Sequence, residues 1–594
     1  MRPAAACLLS MLLLTTPLFA AAAESPAVLA PVEIRQRALA TLLDEQWQDT
    51  LAHSPEFATI LGDYRYNDRW SDASLAAVED RRRRVQAFLA RFEALDDSGF
   101  GEAERLNRRL MIDQLAEELE SLRLGLNLMP LDQSVGVHLQ YPQFGSLVPT
   151  DSVRHYEDYI ARLNALPEQL EQATATARAG LKAGLMPPKY LLEKVTAQCL
   201  GIAAPAGADS PFALPLKKFP DSIPAAEQAR LRAALLAAVD ERVRPAYRRL
   251  ARFVATEYAP RGRREPGLWS LPGGEALYRH LIRAQTSTRL EPQAIHELGL
   301  AEVARIEAEQ ALIAHRYGYE DLTSFRVALK QDRELFAGSR QQIVEAYRRY
   351  NAQMEPELPK LFGRLPTSNV IVKAVETYEE KEAPAAGYLQ GTPDGKRPGQ
   401  IQVNTGDFEH RSLLTIESTA YHEGSPGHHL QIAIAQTLPE LPPFRQQAGY
   451  TAYVEGWALY AERLGKEIGF YQDPLSDYGR LADELLRANR LVLDTGVHYK
   501  HWSRQQMVDW FRVHSSDDEP DIQSETDRYI AWPAQALAYK LGQLRILALR
   551  EEAKAALGER FDIRAFHDTV LGGGALPLDA LSDRVRAWIA ASKA

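Results

Sequence analysis

The stretch Tyr421-His422-Glu423-Gly424-Ser425-Pro426-Gly427-His428-His429-Leu430-Gln431, followed further on by Val454-Glu455-Gly456-Trp457-Ala458, decides how this chain is read. A His-Glu pair, two more imidazoles a few residues on, and a lone carboxylate inside an apolar helical run are the donor types of a zinc-dependent hydrolase. In the commonest such sites two histidines lie four residues apart on one helix. Both nitrogens then reach one ion, and the Glu between them faces the bound water. Here the fourth position after His422 is Pro426, and the next imidazoles are His428 and His429. An undistorted helix would carry a residue seven positions on to about 10 Å along its axis, too far for two ligands with bonds of about 2 Å. The helix is therefore predicted to bulge or break at Pro426-Gly427, because proline lacks an N–H and clashes with the preceding turn while glycine permits unusual dihedrals. His428 needs the smaller distortion and is preferred over His429.

The third ligand is expected from a neighbouring antiparallel helix. Glu455 fits, since it lies in an apolar run over residues 448–464 where a lone ionised carboxylate is costly unless paired or metal-bound. Zn2+ held by His422, His428 and Glu455 leaves a fourth position for water, the catalytic rather than the closed structural arrangement. Glu423 is then the general base that takes a proton from that water and passes it to the leaving amine. An oxyanion donor is also required; Tyr529 and His498 rank ahead of Tyr539, which is also read as substrate-binding. Lys540, Arg397 and Arg528 are candidates to hold a substrate carboxylate. By contrast, Ile295-His296-Glu297-Leu298-Gly299-Leu300 has Leu300 where a second ligand would stand and reads as an ordinary helix.

Outward from the motif, residues 31–364 carry apolar residues at three- and four-residue spacing with Arg and Glu between them, most clearly over 79–95, 102–126, 152–185, 225–258 and 292–317. Pro187-Pro188 and the segments 201–215 and 260–272 read as loops. Val370-Ile371-Val372 and Ile401-Gln402-Val403-Asn404 are β-like, and the segment from Tyr388 to Gly399 between them is dense in turn residues. The reading is a mostly α fold with a small β-sheet beside the metal-binding helix. Residues 24–365 form the helical scaffold and cleft wall, and 366–594 the catalytic part, the two making one continuous fold.

Lys plus Arg number 69 against 79 for Asp plus Glu, a net charge of −10, and no basic stripe with interleaved aromatics is present, so nucleic acid is not an expected partner. Arg2, the apolar run from Leu8 to Phe19 and Ala20-Ala21-Ala22-Ala23 form a secretory signal over residues 1–23, which points to a periplasmic or secreted protein. Cys7 lies in that signal without a lipoprotein cleavage box, leaving Cys199 alone and no internal disulfide. No later run is long enough to span a bilayer. The pattern specifies no oligomeric state.

The segment 269–306, with Leu271-Pro272-Gly273-Gly274-Glu275, together with His422 to Gln431, Glu455-Gly456-Trp457-Ala458 and Tyr529 to Gly542, resembles the bacterial DUF885 family over nearly the whole chain after the signal. That family in turn resembles the helical zincin peptidases, including the angiotensin-converting-enzyme and thimet-oligopeptidase groups. The resemblance implies a large helical zincin-like fold with a deep cleft that cleaves short peptides, in the manner of a carboxypeptidase or dipeptidyl carboxypeptidase. A zinc amidase or esterase on a small non-peptide substrate uses the same residues. Outside enzymes, the rival is a metal-free pseudopeptidase that binds peptides or a protein partner.

Overall fold

The amphipathic segments become long helices whose ends follow local chemistry. In the computed structural model, which describes residues 30–593 apart from 378, 379, 381 and 382, helix Val153–Ala183 starts where the Ser152 side chain accepts a hydrogen bond from the His155 N–H. It stops at Gly184, whose φ of 75° suits a residue without Cβ. Residues 1–23, read as a signal, lie outside the described part. The pattern over 225–258 forms helix Ala225–Ala237 and helix Arg244–Phe253, with wider π turns at Ala238–Val243 and Val254–Tyr258. Pro245, which supplies no N–H, sits just after the first of these.

Three strands form the small sheet in the order β1-β3-β2. β1 (Val370–Ala374) pairs parallel with β3 (Gly399–Val403), and β2 (Ala386–Leu389) pairs antiparallel with it, so that Val372 and Tyr388 both face Ile401 in register. β2 corrects the sequence reading, in which Tyr388-Leu389 belonged to a turn-rich loop. The aromatic ring and the pairing with β3 outweigh the Gly and Pro residues that begin two positions later. Ile401 and Val403 are fully buried and join Ile343 and Tyr347 of helix Arg340–Met354 and Ile416 and Ala420 of helix Ile416–Glu423 in one apolar cluster. The sheet thus buttresses the helix that carries the His-Glu pair.

Apolar cores cross residue 365. Leu39 and Leu110, from helices Val32–His53 and Glu102–Arg123, pack in one cluster with Tyr421, Trp457, Ile546 and Ile589. Leu191 joins Leu493, Phe511 and Tyr529 in another, whereas a third, from Trp70 to Ala259, lies wholly in the first half. Helix Thr451–Glu467 lies against helix Ala538–Leu557 at two glycines: a Cβ on Gly456 would sit 2.4 Å from the Gly542 Cα, and one on Gly542 would sit 1.8 Å from the Ala452 carbonyl oxygen. That contact of bare backbones brings Glu455 and Tyr539 to the same place. No described helix is long and apolar enough to cross a membrane.

Candidate metal centre

The motif is two helices and a link. Helix Ile416–Glu423 ends at Gly424, and helix His428–Gln436 begins after Gly427. In between, the Gly427 N–H donates to the Tyr421 carbonyl at 2.9 Å, the His429 N–H to the Gly424 carbonyl at 3.2 Å, and the Ser425-Pro426 peptide is cis. Trp457 Nε1 donates to the Pro426 carbonyl at 2.9 Å and the Ser425 N–H to Asn351 Oδ1 at 3.3 Å, fixing the link from both sides. There is no room for side chains here: a Cβ on Gly427 would lie 2.0 Å from the His422 carbonyl oxygen, and one on Gly424 1.8 Å from Asn351 Oδ1.

This break brings His428 back beside His422, with ring centres 4.7 Å apart and planes at 89°. Glu455 Oε2 lies 3.5 Å from His422 Nε2 and 3.3 Å from His428 Nε2, and one donor atom from each of the three residues falls within 4.8 Å of the others. Tetrahedral ligands with bonds of about 2.1 Å are separated by about 3.4 Å, so both carboxylate-to-imidazole distances have the length of a zinc-site edge. Glu455 Oε2 is buried and has no hydrogen-bond partner among the described residues. A buried carboxylate oxygen that faces only two imidazole nitrogens needs a cation there, a proton on an imidazole or a metal ion between the three, and the distances fit a metal.

The neighbouring groups orient the set. His422 Nδ1 donates to Glu462 Oε1 at 2.8 Å, which makes Nε2 the ring nitrogen that faces Glu455 and is open to a proton or a metal ion. Glu462, 1% exposed, is backed by Arg487 at 3.8 Å, whose other nitrogen holds Asp483 at 2.7 Å. Burial works against a charged His422, but Glu455, Glu462 and Glu423 outweigh it and hold the imidazole up at about 10. Burial likewise opposes ionisation of Glu455, yet the His428 and His422 imidazoles hold its carboxyl well below the usual range. Glu462 is pushed up by its burial. Three carboxylates and two imidazoles in one buried place form an anionic pocket that favours any cation, a proton or a metal ion alike.

His429 has other work. Its Nδ1 shares a hydrogen bond with the Tyr388 hydroxyl at 3.0 Å, its Nε2 donates to the Ser368 carbonyl at 3.1 Å, and burial pushes it down to about 4. His498 is not beside the cluster: Nδ1 accepts from the Leu268 N–H at 3.1 Å, Nε2 donates to the Tyr529 carbonyl at 3.0 Å, and burial pushes it down to about 3. Tyr529 donates its hydroxyl to Glu525 at 2.5 Å. Lys540, fully buried, holds Glu484 at 2.7 Å, Gln543 at 2.8 Å and Glu302 at 2.9 Å, and Arg397 donates to the Ile60 carbonyl at 2.6 Å. His498, Tyr529 and Lys540 thus have their donors engaged by protein acceptors, and Arg397 is tied through Nη2 to a carbonyl in the first helices of the chain while its buried Nε keeps no partner among the described residues. Tyr539 is different. Its ring lies parallel to His422, 18° and 6.4 Å away, and its hydroxyl accepts from Arg528 Nη2 and Gln535 Nε2, both at 3.3 Å, keeping its own O–H proton to give. Arg528 itself is a polar neighbour of this ring.

Glu455, Glu525 and Arg528 keep 18%, 22% and 23% of their side chains exposed among almost fully buried neighbours. Asp517, half-buried, and Asp521, exposed, are nonetheless pushed up to about 7 and about 6 by loss of solvent together with each other's or nearby carboxylates. Cavities of about 200 Å³, lined in part by Ser368, Thr392 and Gln436, and of about 380 Å³, beside Lys189 and Pro260, lie elsewhere.

Of the site residues above, Glu462 escaped the sequence reading. The available signal was its position seven residues after Glu455 on one helix, which places both carboxylates on one face. Tyr388 and Asn351, which secure His429 and the link, carry no local sequence signal.

The structure is similar over 94% of this chain and all of the other to that of a candidate lipoprotein from Colwellia psychrerythraea, at 29% identity and a TM-score of 0.89. It shares its fold with a candidate lipoprotein of unknown function from Shewanella oneidensis, at 18% identity, a TM-score of 0.67 and coverage of 93% and 99%. No curated protein matches the chain. The model of a bacterial protein family of unknown function, DUF885, matches residues 55–585, and the chain belongs to that family.

Proposed function

We propose that the protein is a zinc-dependent hydrolase of short peptides, exported from the cell, with His422, His428 and Glu455 as ligands in a helical, zincin-like arrangement with a substrate cleft. The observation that carries this reading is the partnerless Glu455 oxygen at ligand-edge distance from two imidazole nitrogens. A bound Zn2+ supplies a Lewis acid that polarises the scissile carbonyl and makes water acidic near neutral pH. Glu423, the last residue of its helix and close enough to raise the His422 imidazole, accepts the proton from the attacking water and hands it to the leaving amine. The unspent O–H of Tyr539 donates to the carbonyl oxygen as it becomes an oxyanion, replacing Tyr529 and His498 in that role. Export is supported by the signal pattern and by the similarity to candidate lipoproteins.

Incubation of the zinc-loaded protein with a mixed library of tri- to octapeptides, read by mass spectrometry, tests the proposal. Defined cleavage is expected, lost on chelation and in Glu423→Gln. Cleavage undiminished in Glu423→Gln would refute it.

A further inference from the structure

Helix Pro474–His498 delivers one more group to the centre. Arg490 is 4% exposed, and its guanidinium lies 4.4 Å from the centre of the Tyr539 ring, the same ring that stacks on His422. Two of its nitrogens are fixed: Nε donates to the Tyr529 hydroxyl and Nη2 to Glu525, both at 3.0 Å. Tyr529 and Arg490 meet on the same Glu525 oxygen, so the guanidinium is held rigidly. The remaining nitrogen, Nη1, is buried and has no hydrogen-bond partner among the described residues. A charged donor left without an acceptor in the interior costs more than a neutral one and calls for an acceptor from water, an ion or a ligand; among the buried arginine nitrogens of this kind, Nη1 of Arg490 belongs to the guanidinium that lies over the ring stacked on His422. A rigid, planar guanidinium is best matched by a carboxylate.

Its place says which carboxylate. Arg490 and His422 both approach the Tyr539 ring, 4.4 Å and 6.4 Å from its centre, so they lie at most about 11 Å apart, and an extended peptide advances about 3.3–3.6 Å per residue. A carboxylate reaching Nη1 therefore belongs to a residue one to three positions from the carbonyl under attack. Of the sequence candidates for this task, Lys540 is spent on Glu484, Gln543 and Glu302, and Arg397 is tied to the Ile60 carbonyl with no hydrogen bond or ion pair to His422, His428, Glu455 or Tyr539. We propose that Arg490 binds a carboxylate of the substrate, supplied by the C-terminus of the peptide or by an acidic side chain near it. This rests on the hydrolase reading above. With the C-terminus as the source, the enzyme releases one to three residues from that end.

The test is calorimetric titration of zinc-loaded Glu423→Gln protein with acetyl-trialanine, its C-terminal amide, and acetyl-Ala-Ala-Asp amide. The carboxylate peptides should bind about 10- to 100-fold more tightly than the neutral amide, the worth of one charge-assisted hydrogen bond. That margin should fall towards one in Glu423→Gln/Arg490→Gln and partly return in Glu423→Gln/Arg490→Lys, with zinc content and circular dichroism checked for each. Tight binding of the acid alone assigns the C-terminus; tight binding of the Asp amide assigns the side chain. Equal affinities for all three peptides, binding of none, or a margin that survives Arg490→Gln would overturn the assignment. Failure of the wild-type zinc protein to cleave any of them would instead count against the hydrolase reading, while the binding margin still decides Arg490.

Discussion

Replacing Glu462 with Gln keeps the size and shape of a side chain that is 1% exposed and removes only its charge. Glu462 accepts from His422 Nδ1 at 2.8 Å, so its charge raises the basicity of the imidazole and its position fixes the ring plane. The amide oxygen of Gln can still accept that hydrogen bond but no longer stabilises the imidazole's share of positive charge. Partners of this kind contribute about 10- to 100-fold to metal affinity, or about 1.4–2.7 kcal/mol. Gln should sit at the lower end and Ala, which also frees the ring to rotate, at the upper. The fold should survive both, because Arg487 loses a contact of 3.8 Å but keeps Asp483 at 2.7 Å. Competition for zinc against a chromophoric chelator measures the effect directly. A dissociation constant for Glu462→Ala within twofold of wild type would show that His422 is not the oriented ligand described here.

His429→Ala should keep full zinc content while losing about 1–3 kcal/mol of stability, since the Tyr388 hydroxyl and Ser368 carbonyl are left without their partner; loss of zinc would refute its exclusion as a ligand. Lys540→Met should retain zinc but lower the urea midpoint by the equivalent of about 3 kcal/mol, because Glu484 and Glu302 lose a fully buried cation; an unchanged midpoint would contradict the ion network. His567, fully buried between the Leu361 carbonyl and the Tyr460 hydroxyl, is pushed down to about 3 by burial. Its folded value lies below the unfolded 6.5, so the stability it contributes is present above pH 6.5 and drains away as pH falls. The stability gap between wild type and His567→Gln should therefore narrow by about 2 kcal/mol from pH 7 to pH 5, and a constant gap would disprove it. Gly542→Ala should fail to fold or lose several degrees in melting temperature, because its Cβ would meet the Ala452 carbonyl oxygen at 1.8 Å; wild-type melting would contradict the helix contact.

The parts of this fold that were readable in the sequence are those governed by local spacing. The helical periodicity of 102–126 and 292–317 became helices Glu102–Arg123 and Pro292–Arg316, and Pro426-Gly427 announced the break that separates two helices. Tyr388 misled because strand pairing with β3, not its turn-forming neighbours, fixes its backbone. Reading donors was harder. His498, Tyr529 and Lys540 stand in chemically suggestive runs, but whether such a group is free depends on partners far away in sequence: the Leu268 N–H that donates to His498, and the Glu302 carboxylate that accepts from Lys540. Tyr539 acquires its place beside His422, and Arg490 its place against Tyr539, only when the Gly456 and Gly542 backbones touch and helix Pro474–His498 packs nearby, contacts that no local pattern encodes.

The most direct test is elemental analysis of the purified protein after zinc supply and desalting, alongside His422→Ala, His428→Ala, His429→Ala and Glu455→Ala. One zinc per chain in wild type and His429→Ala, and none in the other three, is the expected result. Absence of zinc from wild type, or its retention when His428 or Glu455 is removed, would contradict the metal centre and leave a metal-free peptide-binding protein as the better description.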